Sequence, residues 1–246
     1  MQPNLSLVLP AWNEARNLEL LLPELRSTLD QASIEYEIIV VDAGSGDNTV
    51  EVVEANGGVV MRQNEPGYGG ALLTGYAVAR GQWVATLDSD GSHDPKILLQ
   101  MWNMRDTADV FIGSRYIPGG GSEADTSRKL MSWILNKTYR FFFDIPVLDL
   151  SSGFRLYKRS ALNIDIRARH FEFVEELLVK QYFLGCKIKE VPFLYRPRNF
   201  GESHARIFEF AKLYLKSIAH LRSVRKVVAW STRPEKLISR GQAAGR

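Results

Sequence analysis

Three short apolar runs set the tightest limit on what this chain can fold into. LSLVLP (5–10), EIIVVD (37–42) and WVATLD (83–88) are too short and too continuous to carry a helical period, so they read as buried strands. A weaker run, GGVVMR (57–62), lies between the second and third. Leu18, Leu21, Leu22, Leu25 and Leu29 recur at helical spacing after the first run, and GGALLTGYAVARG supplies another helix ahead of WVATLD. Strands alternating with helices predict an α/β fold with a mostly parallel central sheet flanked by helices. Each strand ends in polar residues: Asn13 and Glu14 after the first, Asp42 on the second, Asp88 and Asp90 on the third. The carboxyl ends of strands in such a sheet line one crevice where ligands bind, so Asp42 is expected to face the same cleft as Asp88 and Asp90.

The stretch LDSDGSHDP (87–95) places two carboxylates one residue apart where a strand emerges. Carboxylates this close repel each other unless a positive charge lies between them, and a divalent cation that also holds a phosphate chain meets that need. An Asx-rich turn that closes a strand accounts for the same residues without a ligand. AGSGDNT, after Asp42, reads as a strand-to-helix turn with Asp47 and Thr49 as cap candidates. The glycines at 67, 69 and 70 do not make a dinucleotide fingerprint: Leu72 stands where the third glycine belongs, and the first strand-helix turn, PAWNEARN, has none. No Gly-x-x-x-x-Gly-Lys-Ser/Thr loop is present either.

A single cysteine, Cys186, excludes an intrachain disulfide and argues against a structural zinc site. The net charge of +3 divides unevenly: residues 201–246 carry +7 and residues 1–200 carry −4. The expected organisation is one unit over 1–204 and a basic helical extension over 205–246 with a disordered end. A basic segment favours anionic lipid surfaces or nucleic acid, and the chain has no RNA or DNA motif. No signal-like start and no window of about eighteen apolar residues is present, which places the expected protein in the cytoplasm without a membrane span.

In order, VLPAWNE, IIVVDAGSGDNT, NEPGYGGALLTGYAVARG and LDSDGSHDP resemble the successive blocks of a family 2 glycosyltransferase with the GT-A fold, a Rossmann-like nucleotide-diphospho-sugar transferase fold. FIGSRYIPGG, DLSSGFRLY and GESH narrow the resemblance to the branch that glycosylates polyprenyl monophosphates, such as the polyprenyl and dolichyl-phosphate mannose synthases. It runs from about Leu5 to about Lys216. The resemblance implies a metal-dependent, inverting transfer of a hexose onto a membrane polyprenyl phosphate, with mannose from GDP-mannose as the first expectation. UDP-glucose or another nucleotide sugar, or a saccharide acceptor, is the alternative, and a noncatalytic nucleotide-sugar or lipid-binding module is a third reading.

The same resemblance implies roles for individual residues. Pro10, Ala11, Asn13, Glu14 and Asp42 would hold the donor nucleotide, with Ala43 standing where the family usually has a second acid. Asp88 and Asp90 would bind Mg²⁺ or Mn²⁺ against the donor diphosphate. Arg115, Arg128, Ser132 and Arg198 would contact the acceptor phosphate, and His204 stands where relatives carry lysine. Asp90, Arg115 and Asp149 are the catalytic candidates, Asp149 as an acid that orients the site. His93 reads as a loop residue or a neighbour of the donor phosphate, because the hard cation expected here prefers oxygen. Of Glu175 and Glu176, one is expected to face the site and the other solvent.

RKLMSWILNKTYRFFF (128–143) mixes Leu130, Met131, Trp133, Ile134, Leu135 and Phe141 to Phe143 with only cationic charges. That suits a helix lying in a headgroup layer, with a second basic helix over 205–228 adding electrostatic attraction. Peripheral association with the cytoplasmic face of a membrane is the expectation.

Overall fold

The protein was described from a computed structural model, which covers residues 2–198, 200–201 and 213–223. Strands β1 (Leu5–Ala11), β2 (Tyr36–Asp42), β3 (Val59–Arg62), β4 (Trp83–Thr86) and β5 (Val110–Ser114) alternate with helices in the first half of the chain. These are α1 (Ala15–Gln31), α2 (Thr49–Ala55), α3 (Tyr68–Val78) and α4 (Pro95–Asn103). Then follow β6 (Gly121–Ser122), α5 (Thr126–Phe143), β7 (Arg155–Lys158), α6 (Phe173–Phe183), β8 (Ile188–Pro192) and β9 (Leu194–Tyr195). Residues 213–223 are helical.

Seven strands form one sheet in the order β3-β2-β1-β4-β7-β5-β8. All neighbours run parallel except β7, which is antiparallel to both β4 and β5. β6 and β9 make a separate two-stranded ribbon. The β1–β2 register sets Ala11 beside Asp42, so these two strands end level with each other.

The sheet separates two apolar cores. Leu5, Leu7 and Leu9 point to one face and meet Leu18, Leu21, Leu22, Leu25 and Leu29 of α1 and Leu98, Met101 and Trp102 of α4. Val8, Ile39 and Val41 point to the other and meet α3, α5 and α6. This is the period of two expected of a strand covered on both faces. Each of the five α1 leucines contributes about 1.5–3 kcal/mol by leaving water. Helix α4 opens on a capped first turn: the Asp94 carboxylate accepts the Lys96 N–H at 2.8 Å, and Pro95 supplies a first-turn residue with no N–H to satisfy.

Two expectations about helices need correction. In α5, Leu130, Met131, Trp133, Ile134 and Phe141 are exposed, Phe141 by 83%, but Leu135 and Phe142 pack against the second core and Phe143 is buried within it. The apolar outer face is therefore narrower than its composition suggests. The 213–223 segment is more than a solvated basic extension, because Ile218 and Leu221 belong to the second core. His204 and the remainder of the predicted 205–228 helix lie outside the described residues, as does the end of the chain. No described helix is long and apolar enough to cross a membrane.

Candidate active site

The carboxyl ends of β1 and β4 open into a cavity of about 460 Å³. Its wall includes Pro10, Ala11, Trp12 and Glu14 from the first strand's exit and Asp88, Ser89 and Asp90 from the fourth. Ser89 Oγ donates to the Pro10 carbonyl at 2.8 Å, tying the two exits together. Asp88 is positioned from three sides. Its backbone N–H donates to His93 Nδ1 at 3.0 Å, Tyr68 Oη donates to its Oδ1 at 3.0 Å, and His93 Nε2 lies 3.7 Å from its Oδ2. His93 is buried and stacked on Phe154, and burial holds its imidazole below the ordinary value, so it stands neutral. Gly153 leaves room for the Tyr68–Asp88 bond, since a Cβ there would fall 2.6 Å from the Tyr68 hydroxyl. Asp90 turns its Oδ1 to the Ser92 N–H at 3.0 Å and its Oδ2 to Arg198, 3.3 Å away.

Asp88 and Asp90 fit a hard divalent cation on chemical grounds. Desolvation at the cleft floor, reinforced by the charge of Asp90, raises the Asp88 carboxyl, an arrangement that a cation would relieve. Among the described residues no cluster of three His, Cys, Asp or Glu side chains could hold a metal alone. An ion here must complete its shell from phosphate oxygens and water, as magnesium commonly does. Glu14 lies close by, its carboxyl raised by burial and 3.4 Å from Arg198.

Asp42 sits differently from its predicted place. Its carboxylate accepts the Gly44 N–H at 2.9 Å, the Ser45 N–H at 3.1 Å and the Ser45 hydroxyl, while Ala43 is the residue that lines the cavity. Asn13, with φ of 55°, accepts the Gly46 N–H at 2.7 Å, and Asp47 and Thr49 accept the N–H groups of Ala15 and Glu14 at 3.2 and 3.0 Å. The AGSGDNT loop therefore caps α1, the neighbouring helix, as well as opening α2.

A second cluster centres on Arg115. Its Nε and Nη2 bind Asp149 at 2.8 and 2.7 Å, and the Arg115 backbone N–H adds a third bond at 2.9 Å. Nη2 also donates to Ser132 and Ser151 at 3.1 and 2.9 Å. The Asp149 side chain is fully enclosed, and its bonds hold the Arg115 guanidinium in place. Asn136, on α5, binds the N–H groups of Leu150 and Ser151 through Oδ1 at 2.8 and 3.1 Å. Glu190 accepts the N–H groups of Leu148 and Asp149 at 2.9 and 3.0 Å. Buried Arg155 donates to the carbonyls of Ser152 and Val174 at 2.8 and 2.7 Å. The DLSS turn is thus held from α5, α6, β7 and β8 together.

A cavity of about 410 Å³ adjoins the first and is lined by Glu123, Asp125, Arg128, Tyr195, Pro197 and Arg198. Arg128 and Arg198 line this cavity, whereas Arg115 and Ser132 are absent from the lining of both cavities. Tyr195, Tyr68 and Asn136 were not indicated by any local sequence signal; only the tertiary fold brings them here.

Glu175 and Glu176 overturn the expectation that one faces the site and one faces solvent, since both are 1% exposed. Glu176 is paired with Lys180 at 2.6 Å and accepts the N–H groups of Arg167 and Ala168 at 3.0 Å. Glu175 has a buried carboxylate oxygen with no partner among the described residues, and burial pushes its carboxyl up to about 8.

Residues 6–164 match the family model for glycosyl transferase family 2. An undecaprenyl-phosphate mannosyltransferase of Micrococcus luteus is 32% identical over 210 residues, 80% of this chain and 85% of that protein. A polyprenol monophosphomannose synthase of Mycolicibacterium smegmatis is 32% identical over 212 residues, 80% of this chain and 78% of its own. Glucosyl-3-phosphoglycerate synthase from Mycobacterium tuberculosis, solved with Mn²⁺, UDP and glucosyl-3-phosphoglycerate, superposes with a TM-score of 0.69 at 24% identity, over 90% of this chain and 79% of that one. A further structure of that synthase holds Mn²⁺, UDP-glucose and phosphoglyceric acid. An α/β sheet with this strand order, an acid pair at its carboxyl edge and a family match over most of the sheet agree: the chain is a glycosyltransferase and belongs to glycosyl transferase family 2.

Proposed function

We propose that the protein transfers a hexosyl group from a nucleoside-diphosphate sugar to a phosphate-bearing acceptor, using Mg²⁺ or Mn²⁺. The observation that carries this reading is the meeting of two cavities at Arg198: one holds the acid pair, the other is lined by Arg128. Asp88 and Asp90 would hold the cation, which when bound supplies Lewis-acid neutralisation of charge on the departing nucleoside diphosphate. Pro10, Ala11, Trp12 and Ala43, from the ends of β1 and β2, wall the side of the first cavity where the nucleoside fits. Arg198 and Arg128 orient the acceptor phosphate. A phosphate monoester is already ionised at neutral pH, so positioning contributes more to its attack than a general base would. Asp149 supports this from behind by fixing Arg115.

The named acceptors of the relatives, undecaprenyl phosphate and phosphoglyceric acid, both carry phosphate. For the donor, the UDP-glucose and UDP of the solved relatives favour the alternative over GDP-mannose. Asp42 has its acceptors occupied by its own turn, so it supplies no independent argument for guanine. The exposed apolar and cationic face of α5 supports a polyprenyl phosphate met at a membrane surface; a small phosphorylated acceptor is the second reading.

The test is incubation of the protein and Mn²⁺ with UDP-glucose, GDP-mannose and other nucleotide sugars against polyprenyl phosphate and phosphoglycerate, with products identified by mass. Transfer to a phosphate-bearing acceptor that stops in EDTA and in Asp90→Asn is expected. Transfer only to saccharides, or full activity in EDTA, would overturn the reading.

A further inference from the structure

The two cavities share two residues, Arg198 and Tyr195. Arg198 already has a role; Tyr195 does not. Its backbone is fixed in the β6–β9 ribbon, where it pairs with Ser122 and its carbonyl accepts the Glu123 N–H at 2.9 Å. The half-buried side chain packs against the first core and lines both cavities. A tyrosine serving only the core would carry its hydroxyl to a partner inside the protein. The Tyr195 hydroxyl has no such hydrogen bond among the described residues. The charged groups around it are Asp88 and Asp90 from the loop after β4, Arg128 from α5 and Arg198 from the segment after β9. Burial and then the two carboxylates keep the phenol protonated, against the two arginines. It is therefore a neutral hydrogen-bond donor at the seam between donor and acceptor.

We propose that Tyr195 is a substrate-contacting residue of the transfer step: its ring walls the point where sugar and acceptor meet, and its hydroxyl donates to an acceptor phosphate oxygen. This rests on the function proposed above. In that step an acceptor oxygen forms a bond to the anomeric carbon as the bond from that carbon to the diphosphate breaks, and the electron pair leaves on the nucleoside diphosphate. No proton moves when the acceptor is an ionised phosphate, and Tyr195 keeps its own. By holding one phosphate oxygen, the hydroxyl turns another toward the anomeric carbon. By filling the seam, the ring keeps water from taking the acceptor's place.

Tyr195→Phe and Tyr195→Ala separate the two effects. Tyr195→Phe should raise the acceptor KM about tenfold, the lower end for a hydrogen bond to a charged group, with donor KM and melting temperature unchanged. Tyr195→Ala should do the same and also raise the ratio of donor hydrolysis to transfer severalfold. A Tyr195→Phe enzyme with wild-type acceptor KM, or a Tyr195→Ala enzyme with a wild-type hydrolysis ratio, would overturn the assignment. So would equal losses of donor and acceptor binding together with a lowered melting temperature. If the wild type glycosylates saccharide hydroxyls and no phosphate, the function proposed above fails by itself. The hydrolysis ratio of Tyr195→Ala then still decides whether the ring guards the seam.

Discussion

His93 accepts the backbone N–H of Asp88 on Nδ1 at 3.0 Å, and this bond fixes the direction in which the first acid leaves the sheet. The imidazole acts on the acid pair from outside any metal shell. His93→Phe should keep the stack on Phe154 yet leave the Asp88 N–H without its acceptor. The expected result is a ten- to hundredfold higher Mn²⁺ concentration for half-maximal activity, the usual scale for loss of a supporting contact behind a metal ligand. His93→Asn, which can still accept that N–H, should recover part of the loss. An unchanged Mn²⁺ dependence in His93→Phe would show that Asp88 needs no such guide.

Arg115 and Arg198 should separate cleanly on substitution. Arg198→Ala removes a cation from the seam of two cavities, and the acceptor KM should rise roughly ten- to a hundredfold in a protein that stays folded. Arg115→Ala strands the enclosed Asp149 carboxylate, and about 3–5 kcal/mol of stability should go with it. Chemical denaturation of both variants checks this. Equal stability for the two would mean that Asp149 is neutralised by other means.

Glu175 predicts a pH dependence whose sign follows from its burial. Its carboxyl rises from an ordinary value of 4.5 to about 8 in the folded protein. Between those values the native state holds a proton that the unfolded chain has lost. The contribution is fully present below about pH 4.5, declines as pH rises, and is gone above about pH 8. Glu175→Gln, which mimics the protonated form, should raise the melting temperature at pH 8.5 and change it little at pH 5. A gain of the same size at both would place the effect outside titration.

Trp133 and Phe141 carry the membrane expectation. Trp133 is 46% exposed with Lys137 over its ring, and Phe141 is 83% exposed. Replacing both by Ser should weaken salt-sensitive binding to anionic liposomes and slow transfer to long-chain polyprenyl phosphate, while transfer to a short soluble analogue continues. Phe142 is the wrong probe, because it packs against the second core. Equal loss with both acceptors would argue for damage to the fold.

What was legible in the sequence was local. The β1, β2 and β4 runs and the α1 leucine stripe each depend on near neighbours in the chain, and each appears where its pattern indicates. Asp42 and Ala43 differ by one step of backbone: the strand end turns the acid into its own loop and the alanine into the cavity. Hydropathy does not report that step. Glu175 and Glu176 were misread because α6 is buried from Phe173 through Gln181, and a helix covered on every side has no polar face to find. Tyr195 and Asn136 act through chain segments far from them in sequence, so only the assembled fold gives them a purpose.

Helix α5 divides its residues by helical period. Leu130, Trp133, Ile134 and Phe141 look outward, while Ser132 and Asn136 bind the Arg115 and Asp149 network and Tyr139 and Phe143 fill the core. The two sets lie on different faces of one rod, so substitutions can rewrite the outward one while the inward hydrogen bonds stay in place. A lineage that moved to a different surface or a soluble acceptor would need to change only the outward stripe, keeping the inherited grip on Arg115 intact.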